Sequence, residues 1–255
     1  MISFETVVTR PFFPEFQIPH LTCYSLDEAG RGTLAGPVSV GCVSFDLQTL
    51  EKIKNGEILK GLRDSKKIPE PKRLELRTEI LKYVSYFRVT FVSAKFIDQF
   101  NINQAIFYGM NRCLPTQFPP LASKTKENEN SKATTSFGKK KESPVVNQLL
   151  GVKSFLLADG NYKLKITKPI EGYFSLPKGD DLIPSISAAS ILAKTYRDEY
   201  MEKMDVKYPG YGFAKHKGYG TEEHRDALMK LGISPIHRLS FCKFLRKEGS
   251  EPSLF

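Results

Sequence analysis

Four acidic residues stand at the ends of apolar runs, although the chain as a whole is basic. Asp27 and Glu28 come after LTCYSL, Asp159 ends SFLLAD, and Asp180 follows YFSLPKG. Neighbouring strands of an α/β sheet bring such ends together at one edge, where ligands usually bind. Clustered carboxylates repel one another unless a cation joins them, and oxygen ligands without cysteine or paired histidine suit Mg²⁺ or Mn²⁺. These acids therefore predict a divalent metal site.

Each acid taken alone has a simpler explanation. An aspartate after a strand is more often a turn residue or a helix cap than a metal ligand. Asp27 and Glu28 raise a further difficulty, because successive residues of a strand point to opposite faces. Both acids can face one site only if the strand has ended or twisted by that point, and the nearby Gly30 favours such a twist.

The charge of the chain indicates what such a site would act on. The 255 residues carry a formal net charge of +10, and the pI is about 9.3. A surplus of this size favours a polyanionic partner, nucleic acid above all, although a basic enzyme without such a partner is the simpler alternative. A metal site in a basic surround that faces a polyanion indicates metal-assisted phosphoryl transfer.

The cysteines and the hydrophobic pattern indicate the compartment. Cys23, Cys42, Cys113 and Cys242 lie far apart without a CxxC pair, which argues against a zinc site and a disulfide framework. No apolar stretch approaches the length of a membrane helix, and the N-terminus lacks the pattern of a signal peptide. We therefore expect a cytoplasmic protein with Cys23 and Cys42 in the core. We also expect it to be a monomer.

The periodicity of the apolar residues predicts an α/β protein with a mixed sheet. Strands are expected over 21–26, 37–45, 86–92, 153–159 and 173–176. Helices are expected over 68–84, 94–114, 185–204, 222–231 and 237–247, and the stretch 94–114 is expected to form one long helix or two. Ser93 and Thr221 have the side chains and the positions of N-caps.

The chain divides into an N-terminal extension at 1–20, which we expect to pack on the body, and one domain at 21–255. The C-terminal helices of that domain are expected to begin at about residue 206. Residues 119–143 are polar, charged and almost free of large apolar side chains, so burial cannot offset the entropy lost on ordering. This segment is predicted to be a flexible surface insertion.

Six sequence blocks carry a resemblance to a known family. They are DEAGRGTLAGPV, LRDSKK, LLADGN, KGDDLIPSISAASILAKTYRD, YGFAKHKGYGT and HRLSF, in that order between residues 21 and 245. Together they resemble bacterial ribonuclease HII, the type 2 ribonuclease H. The resemblance implies a ribonuclease H-like fold, in which a five-stranded mixed sheet is flanked by helices and followed by a C-terminal helical portion.

The resemblance assigns the acids to catalysis. In that family four acids hold the metal ions, and the matching residues here are Asp27, Glu28, Asp159 and Asp180. It implies two ions, Mg²⁺ or Mn²⁺, with substrate bound: one activates a water for in-line attack on phosphorus, and the other stabilises the leaving 3′ oxygen. Asp181 lies next to Asp180 but does not match the KGD pattern. We interpret Asp198 as a structural or capping acid.

The resemblance also implies how the substrate is recognised. Gly30, Arg31 and Gly32 would read the 2′-hydroxyl and the adjacent phosphate, and Tyr219 would pack on the next sugar. Phosphate contacts are expected from four lysines, Lys66, Lys67, Lys215 and Lys217. Thr33 stands where the family often has proline, and its hydroxyl should be tolerated. Three histidines receive no role, and we expect His216 at the surface; the three are His216, His224 and His237.

The implied activity is cleavage of the RNA strand of RNA–DNA hybrids and incision 5′ of a single ribonucleotide in duplex DNA. Such cleavage leaves 5′-phosphate and 3′-hydroxyl ends and serves ribonucleotide removal and RNA primer processing. Two alternatives stay open: a non-catalytic nucleic-acid-binding protein on the same fold, and a ribonuclease HIII-type enzyme that does not act on single ribonucleotides. The four acids argue against the first alternative, and the GRG triplet argues against the second. The tail Ser253, Leu254 and Phe255 resembles segments that dock into sliding clamps, which makes a clamp a predicted partner.

Overall fold

Residues 13–17, 22–115 and 154–245 are described by a computed structural model of the chain. Five strands form one sheet: Thr22–Ala29 (β1), Val38–Ser44 (β2), Tyr86–Val92 (β3), Ser154–Asp159 (β4) and Gly172–Leu176 (β5). Their order across the sheet is β3-β2-β1-β4-β5. β2 is antiparallel to both β1 and β3, whereas β4 is parallel to both β1 and β5. The predicted five-stranded mixed sheet is confirmed.

Helices cover both faces of this sheet. The α-helices are Leu47–Lys54 (α1), Glu70–Tyr83 (α2), Ala94–Phe100 (α3), Ile102–Cys113 (α4), Gly179–Leu182 (α5), Pro184–Lys207 (α6), Phe213–His216 (α7) and Glu222–Leu231 (α8). The side chains of Ser93 and Thr221 cap α3 and α8 as predicted, each accepting a backbone hydrogen bond at 3.3 Å. The element α1 was not predicted. The stretch 94–114, expected as one helix or two, forms two helices that are divided at Asn101, whose φ is 68°.

Helix α6 lies unusually close to the centre of the sheet because small residues line the contact. A Cβ added at Gly41 of β2 would lie 2.4 Å from the carbonyl oxygen of Ala189. Ser39 of β2 donates a hydrogen bond to the carbonyl of Ala193 at 2.9 Å. Without bulk between the two backbones, the polar side chains of α6 reach the end of β1.

Apolar side chains fill the space on both sides of the sheet. On one side, strand residues pack with Ile106 and Met110 of α4. On the other side, they pack with Ile80 of α2 and with Leu192 of α6. Phe13 and Phe16 of the N-terminal segment contact this second cluster, so the described part of the extension packs on the body as expected.

Two elements differ from the sequence prediction in ways that affect the site. Strand β1 runs to Ala29 instead of ending at Leu26, because Asp27 and Glu28 still pair with β2. The helix expected over 237–247 is wrong: up to residue 245 the chain forms turns, with a 3-10 helix only at Lys243–Leu245. The backbone N–H of Arg238 donates to the carbonyl of Leu34 at 2.8 Å, which ties this segment to the loop after β1.

Within the described ranges, no helix is both long and apolar enough to cross a membrane. All four cysteines are buried, and Cys23 and Cys42 belong to the core as predicted. The predicted insertion at 119–143 and the tail at 253–255 lie outside the described residues.

Candidate metal centre

Three of the four predicted acids meet at the carboxyl ends of β1 and β4. The parallel register pairs Leu26 with Ala158, so Asp27 and Asp159 follow side by side. Asp180 reaches the same place from α5. One carboxylate oxygen from each of the three aspartates lies within 4.8 Å of the other two. The sheet therefore places these acids within the span of a shared cation.

Asp180 does not stand at a strand end, as the sequence indicated, but in the first turn of the short helix α5. The N–H of Gly179 donates to Asp159 Oδ1 at 2.7 Å, which anchors α5 on β4. The hydroxyl of Ser187 on α6 donates to the carbonyl of Asp180. These two contacts fix the Asp180 backbone between the sheet and α6.

Burial makes the ionised forms of Asp27 and Asp180 unfavourable. Asp27 is 4% exposed and Asp180 is 6% exposed. Burial raises the pKa of Asp27 well above its ordinary value, and the carboxylates of Glu28 and Asp159 raise it further. Burial and the Asp159 carboxylate raise the pKa of Asp180 to about 7. A buried, oxygen-only donor set that is strained by its own negative charge fits a hard divalent cation.

Glu28 lies beside this cluster and is held by a different set of contacts. The Tyr162 hydroxyl donates to Glu28 Oε1 at 2.7 Å, and Arg31 Nη1 lies 3.7 Å from the same oxygen. Burial raises the pKa of Glu28, whereas the Tyr162 hydrogen bond and the Arg31 charge lower it. The carboxylate of Asp159 also raises this pKa, so Glu28 interacts with the cluster although it is not one of the three closest acids.

Sequence reasoning missed four polar residues around the cluster. A hydrogen bond from Ser190 lowers the pKa of Asp27, and contact with the Asp64 carboxyl raises the pKa of Asp180. The other two residues are Tyr162 and Asn103, which both accept hydrogen bonds from the Arg31 guanidinium. Asp64 stands inside LRDSKK and Tyr162 directly after LLADGN, so these two blocks carried a signal. Ser190 also stands inside a block, KGDDLIPSISAASILAKTYRD, but a serine within a predicted helix gave no sign of a role at the site. Asn103 lies outside all six blocks.

The GRG segment follows β1 without a break, and its two glycines differ in their surroundings. Gly30 has a φ of 85°, and a Cβ added there would lie 2.0 Å from Arg197 Nε. A Cβ added at Gly32 would have no atom within 4 Å. Arg31 donates to the Tyr162 hydroxyl at 2.5 Å and to Asn103 Oδ1 at 2.7 Å. The fold itself thus requires a glycine at position 30, whereas position 32 borders open space.

Tyr219 lies in the loop between α7 and α8, with 37% of its surface exposed. Its backbone N–H donates to the carbonyl of His216 at 2.9 Å, and its carbonyl lies 2.8 Å from His224 Nδ1. Its ring centre is 5.7 Å from Lys194 Nζ and 6.0 Å from Arg197 Cζ. The ring is therefore supported by α6 on one side and remains partly open to a ligand.

The four predicted phosphate-binding lysines have unequal surroundings. Burial lowers the pKa of Lys66, but the carboxylates of Asp64, Asp27 and Asp180 together raise it above the ordinary value, so Lys66 interacts with the acid cluster. The other three lysines already form ion pairs: Lys67 with Asp181, Lys215 with Glu223, and Lys217 with Glu202. Phosphate binding by these three would have to compete with the carboxylates.

Asp198 lies away from the cluster in a structural ion pair. Its carboxylate is 2.6 Å from Lys194 Nζ and 3.7 Å from an Arg73 guanidinium nitrogen. These contacts join α6 to α2 and agree with the interpretation of Asp198 as a structural acid.

The expectation of a surface position for His216 is wrong, because three histidines share a buried cluster with Phe213. The rings of His216 and His224 are stacked with their centres 4.3 Å apart, and the Nε2 atoms of His224 and His237 are 3.0 Å apart. Burial lowers the pKa of His224 and of His237 to about 4. At neutral pH His224 and His237 are therefore uncharged, and their rings pack beneath the Tyr219 loop.

Comparison with known proteins finds a family model and relatives that match most of the chain. The family model described as Ribonuclease HII matches residues 25–244. The Ribonuclease HII of Chloroherpeton thalassium is 35% identical over 240 residues, which is 94% of this chain and 95% of that protein. The Ribonuclease HII of Caldicellulosiruptor bescii is 39% identical over 220 residues, which is 86% of this chain and 85% of that protein.

Solved structures share the fold at lower sequence identity. Ribonuclease H2 from Pyrococcus horikoshii aligns with a TM-score of 0.58 at 19% identity, over 86% of this chain and 93% of that one. The PCNA:RNase HII complex from Archaeoglobus fulgidus aligns with a TM-score of 0.56 at 22% identity, over 86% of this chain and 94% of that one. Bst-RNase HIII in complex with Mn²⁺ aligns with a TM-score of 0.54 at 18% identity, over 90% of this chain and 69% of that one. The fold is therefore ribonuclease H-like.

Replacing one acid of the cluster should stabilise the metal-free protein at high pH. A raised pKa in the folded state adds stability that is complete below the unfolded-state pKa and is lost as pH rises through the folded value, about 7 for Asp180. In EDTA we expect Asp180→Asn to unfold at a higher denaturant concentration than wild type at pH 8. The difference should shrink towards pH 5, since each unit of raised pKa is worth about 1.4 kcal/mol.

Asp181→Asn is the matched control for this measurement, because Asp181 is adjacent but pairs with Lys67. Its pKa is lowered by that hydrogen bond, so this variant should not gain stability at pH 8. An Asp180→Asn variant that is less stable than wild type at pH 8 would contradict the electrostatic description of the cluster.

Removing the Tyr162 hydroxyl should weaken divalent-ion binding. The hydroxyl favours the ionised form of Glu28 and fixes its orientation, so Tyr162→Phe should raise the Mg²⁺ concentration needed for half-maximal thermal stabilisation by about tenfold. Tyr173→Phe, at an exposed position on β5, is the control and should leave this midpoint unchanged. An unchanged or lower midpoint in Tyr162→Phe would rule out this role.

Proposed function

Because the chain belongs to the ribonuclease HII family, we propose that its active site consists of four acids, Asp27, Glu28, Asp159 and Asp180. The protein is an endoribonuclease that cleaves the RNA strand of RNA–DNA hybrids, in a family whose activity depends on a divalent metal. The observation that carries the site assignment is the meeting of three aspartate oxygens within 4.8 Å of one another, from two buried residues and the half-buried Asp159. That arrangement has a high electrostatic cost unless a cation offsets it.

The acids would hold Mg²⁺ or Mn²⁺, two ions when substrate is bound, with Glu28 added to the three aspartates. When bound, the ions supply an activated water and charge stabilisation at the leaving 3′ oxygen. Tyr162 favours the ionised form of Glu28 and orients its carboxylate through the 2.7 Å hydrogen bond. Lys66, which interacts with Asp27 and Asp180, adds positive charge for the phosphate next to the cleaved bond.

The finer substrate assignment is incision 5′ of a single ribonucleotide embedded in duplex DNA. The GRG segment would read the 2′-hydroxyl with its backbone, and two observations support this role. The segment begins within two residues of Glu28, and position 32 borders space that a sugar can enter. Tyr219, with part of its ring exposed, would pack on the following sugar and favour a deoxyribose there.

The burial of the acids favours an enzyme over a non-catalytic binding protein on the same fold. A protein that only binds nucleic acid gains affinity from positive charge. A cluster of carboxylates without a cation would repel the phosphates and oppose binding. Ribonuclease HIII-type specificity is disfavoured by the family match and by the GRG triplet.

The remaining parts of the proposal concern organisation and partners. Residues 21–255 would form one catalytic domain that acts as a monomer in the cytoplasm, with 119–143 as a surface insertion. The tail Ser253, Leu254 and Phe255 would dock into a sliding clamp, and the complex that the Archaeoglobus fulgidus protein forms with PCNA supports that suggestion.

Substitution of the proposed ligands should abolish incision without unfolding the protein. Asp27→Asn and Asp180→Asn should each lower the rate on a duplex with one ribonucleotide by about three orders of magnitude or more, because the ions carry most of the charge stabilisation. Asp181→Asn, the neighbouring control, should stay within about tenfold of wild type. Equal cutting by wild type and Asp27→Asn in Mg²⁺ would refute the assigned site.

The two glycines of the GRG segment should respond differently to a methyl group. Gly32→Ala should keep the melting temperature of wild type, because the added Cβ meets no protein atom, yet incision should fall by about a hundredfold as the methyl blocks the sugar. Gly30→Ala should lose stability as well, since its Cβ would overlap Arg197. Wild-type incision by Gly32→Ala would show that the ribose does not approach this position.

A further inference from the structure

Two buried arginines, Arg197 of α6 and Arg238 after α8, connect the segments assigned to substrate recognition. Both side chains are 0% exposed, and they are among the largest fully buried side chains of the described chain. Burying a guanidinium is costly unless its N–H groups find acceptors. The acceptors of these two arginines therefore indicate what the positive charges are used for.

Arg238 binds the backbone of the GRG segment. Its Nη2 donates to the carbonyl of Gly30 at 2.7 Å, its Nη1 to that of Arg31 at 2.9 Å, and its Nε to that of Gly36 at 3.0 Å. A hydrogen bond from a charged donor is stronger than a neutral one, and it fixes the peptide plane on which it ends. Arg238 thus sets the orientation of the two peptide units that open the segment.

Arg197 connects the GRG side of the site to the Tyr219 side. Its Nη1 donates to the carbonyl of Lys217 at 2.8 Å, and its Nε to that of Pro37 at 2.9 Å. Its guanidinium carbon lies 6.0 Å from the centre of the Tyr219 ring. One rigid side chain therefore spans both loops and supports the tyrosine ring.

Thr33 joins the two arginines at one carbonyl. Arg197 Nη2 donates to Thr33 Oγ1 at 2.9 Å, and this hydroxyl donates in turn to the carbonyl of Gly30 at 3.1 Å. With the bond from Arg238, the Gly30 carbonyl accepts two hydrogen bonds and uses both of its lone pairs. Both arginines therefore fix the position of Gly30, Arg238 by a direct hydrogen bond and Arg197 through the Thr33 hydroxyl.

The GRG and Tyr219 loops also bind each other directly. The N–H of Leu34 donates to the carbonyl of Gly218 at 2.9 Å, and a Cβ at Gly218 would lie 2.4 Å from the carbonyl oxygen of Ala35. The two loops are in contact, so the arginines fix a single unit and not two independent loops.

We propose that Arg197, Arg238 and Thr33 are positioning residues for ribose recognition, which set the GRG peptide planes and the Tyr219 ring in one rigid unit. This inference rests on the proposed function of these two segments. Lysine cannot replace either arginine, because an ammonium group lacks the planar fork that reaches several carbonyls at fixed angles. A role in stability alone would predict fewer folded molecules but unaltered selectivity.

The test separates selectivity from the amount of folded protein. With Mg²⁺ present, KM is measured for a duplex with one ribonucleotide, and Ki is measured for an all-DNA duplex of the same sequence as competitor. The ratio Ki/KM reports the preference for ribose and does not depend on the concentration of active enzyme. Arg238→Lys should lower this ratio by about tenfold through KM, with Ki unchanged. Arg197→Lys should lower it as well and should also reduce the preference for a deoxyribose after the ribonucleotide.

A milder variant keeps the test decisive if a lysine variant does not fold. Thr33→Val has nearly the same shape and removes only the hydroxyl between Arg197 and Gly30, so the ratio should fall by about threefold. Arg77→Lys is the control, because Arg77 stacks on Tyr196 and pairs with Glu199, away from both loops, and its ratio should match wild type.

Folded Arg238→Lys and Thr33→Val proteins that keep the wild-type ratio would overturn the inference, with the proposed function intact. If wild type itself shows no preference for the ribonucleotide duplex, the proposed ribonucleotide recognition fails instead. A Ki/KM ratio that falls in Arg238→Lys, Arg197→Lys and Thr33→Val supports the positioning role if the ratio of Arg77→Lys matches wild type.

Discussion

Mutual repulsion among clustered carboxylates, two of them buried, is the constraint on which the rest of this structure depends. Asp27, Asp159 and Asp180 meet within 4.8 Å, and Glu28 lies beside them. The raised pKa values of Asp27 and Asp180 express the cost of that arrangement. Three contacts between different elements hold the acids together. They are the parallel register of β1 and β4, the Gly179 N–H that binds Asp159, and the close packing of α6 on the sheet. Favourable folding elsewhere offsets a cost that a divalent cation would relieve.

The surroundings of the cluster contain positive charge in two different roles. Lys66 and Arg31 lie beside the acids and interact with them electrostatically. Arg197 and Arg238 are fully buried and donate mainly to backbone carbonyls. Under the proposed function, the first pair would face the phosphate backbone of the substrate. The second pair holds the shape of the loops that this backbone would contact. The net charge of +10 therefore cannot be interpreted as surface charge alone.

The sequence predicted the sheet and most helices because their apolar periodicity is local. It also predicted the caps at Ser93 and Thr221, whose side chains act within three residues. It was wrong about 237–247, where helical periodicity yields to the hydrogen bond between Arg238 and Leu34 from distant parts of the chain. It was wrong about His216 for a similar reason, since a loop rich in glycine and lysine gave no sign that three histidines pack together.

By itself the sequence determined the identity of the four acids, the GRG segment and the family resemblance, because these depend on residue types in a fixed order. Only the tertiary structure decided which acids share a site and which contacts hold them. Asp27 and Glu28 are neighbours in sequence, yet the alternation of a strand separates their carboxylates. The Tyr162 hydroxyl donates a hydrogen bond to the carboxylate of Glu28. Asp64, Ser190, Arg197 and Arg238 join the site through contacts across loops and helices, and no spacing along the chain encodes such distances.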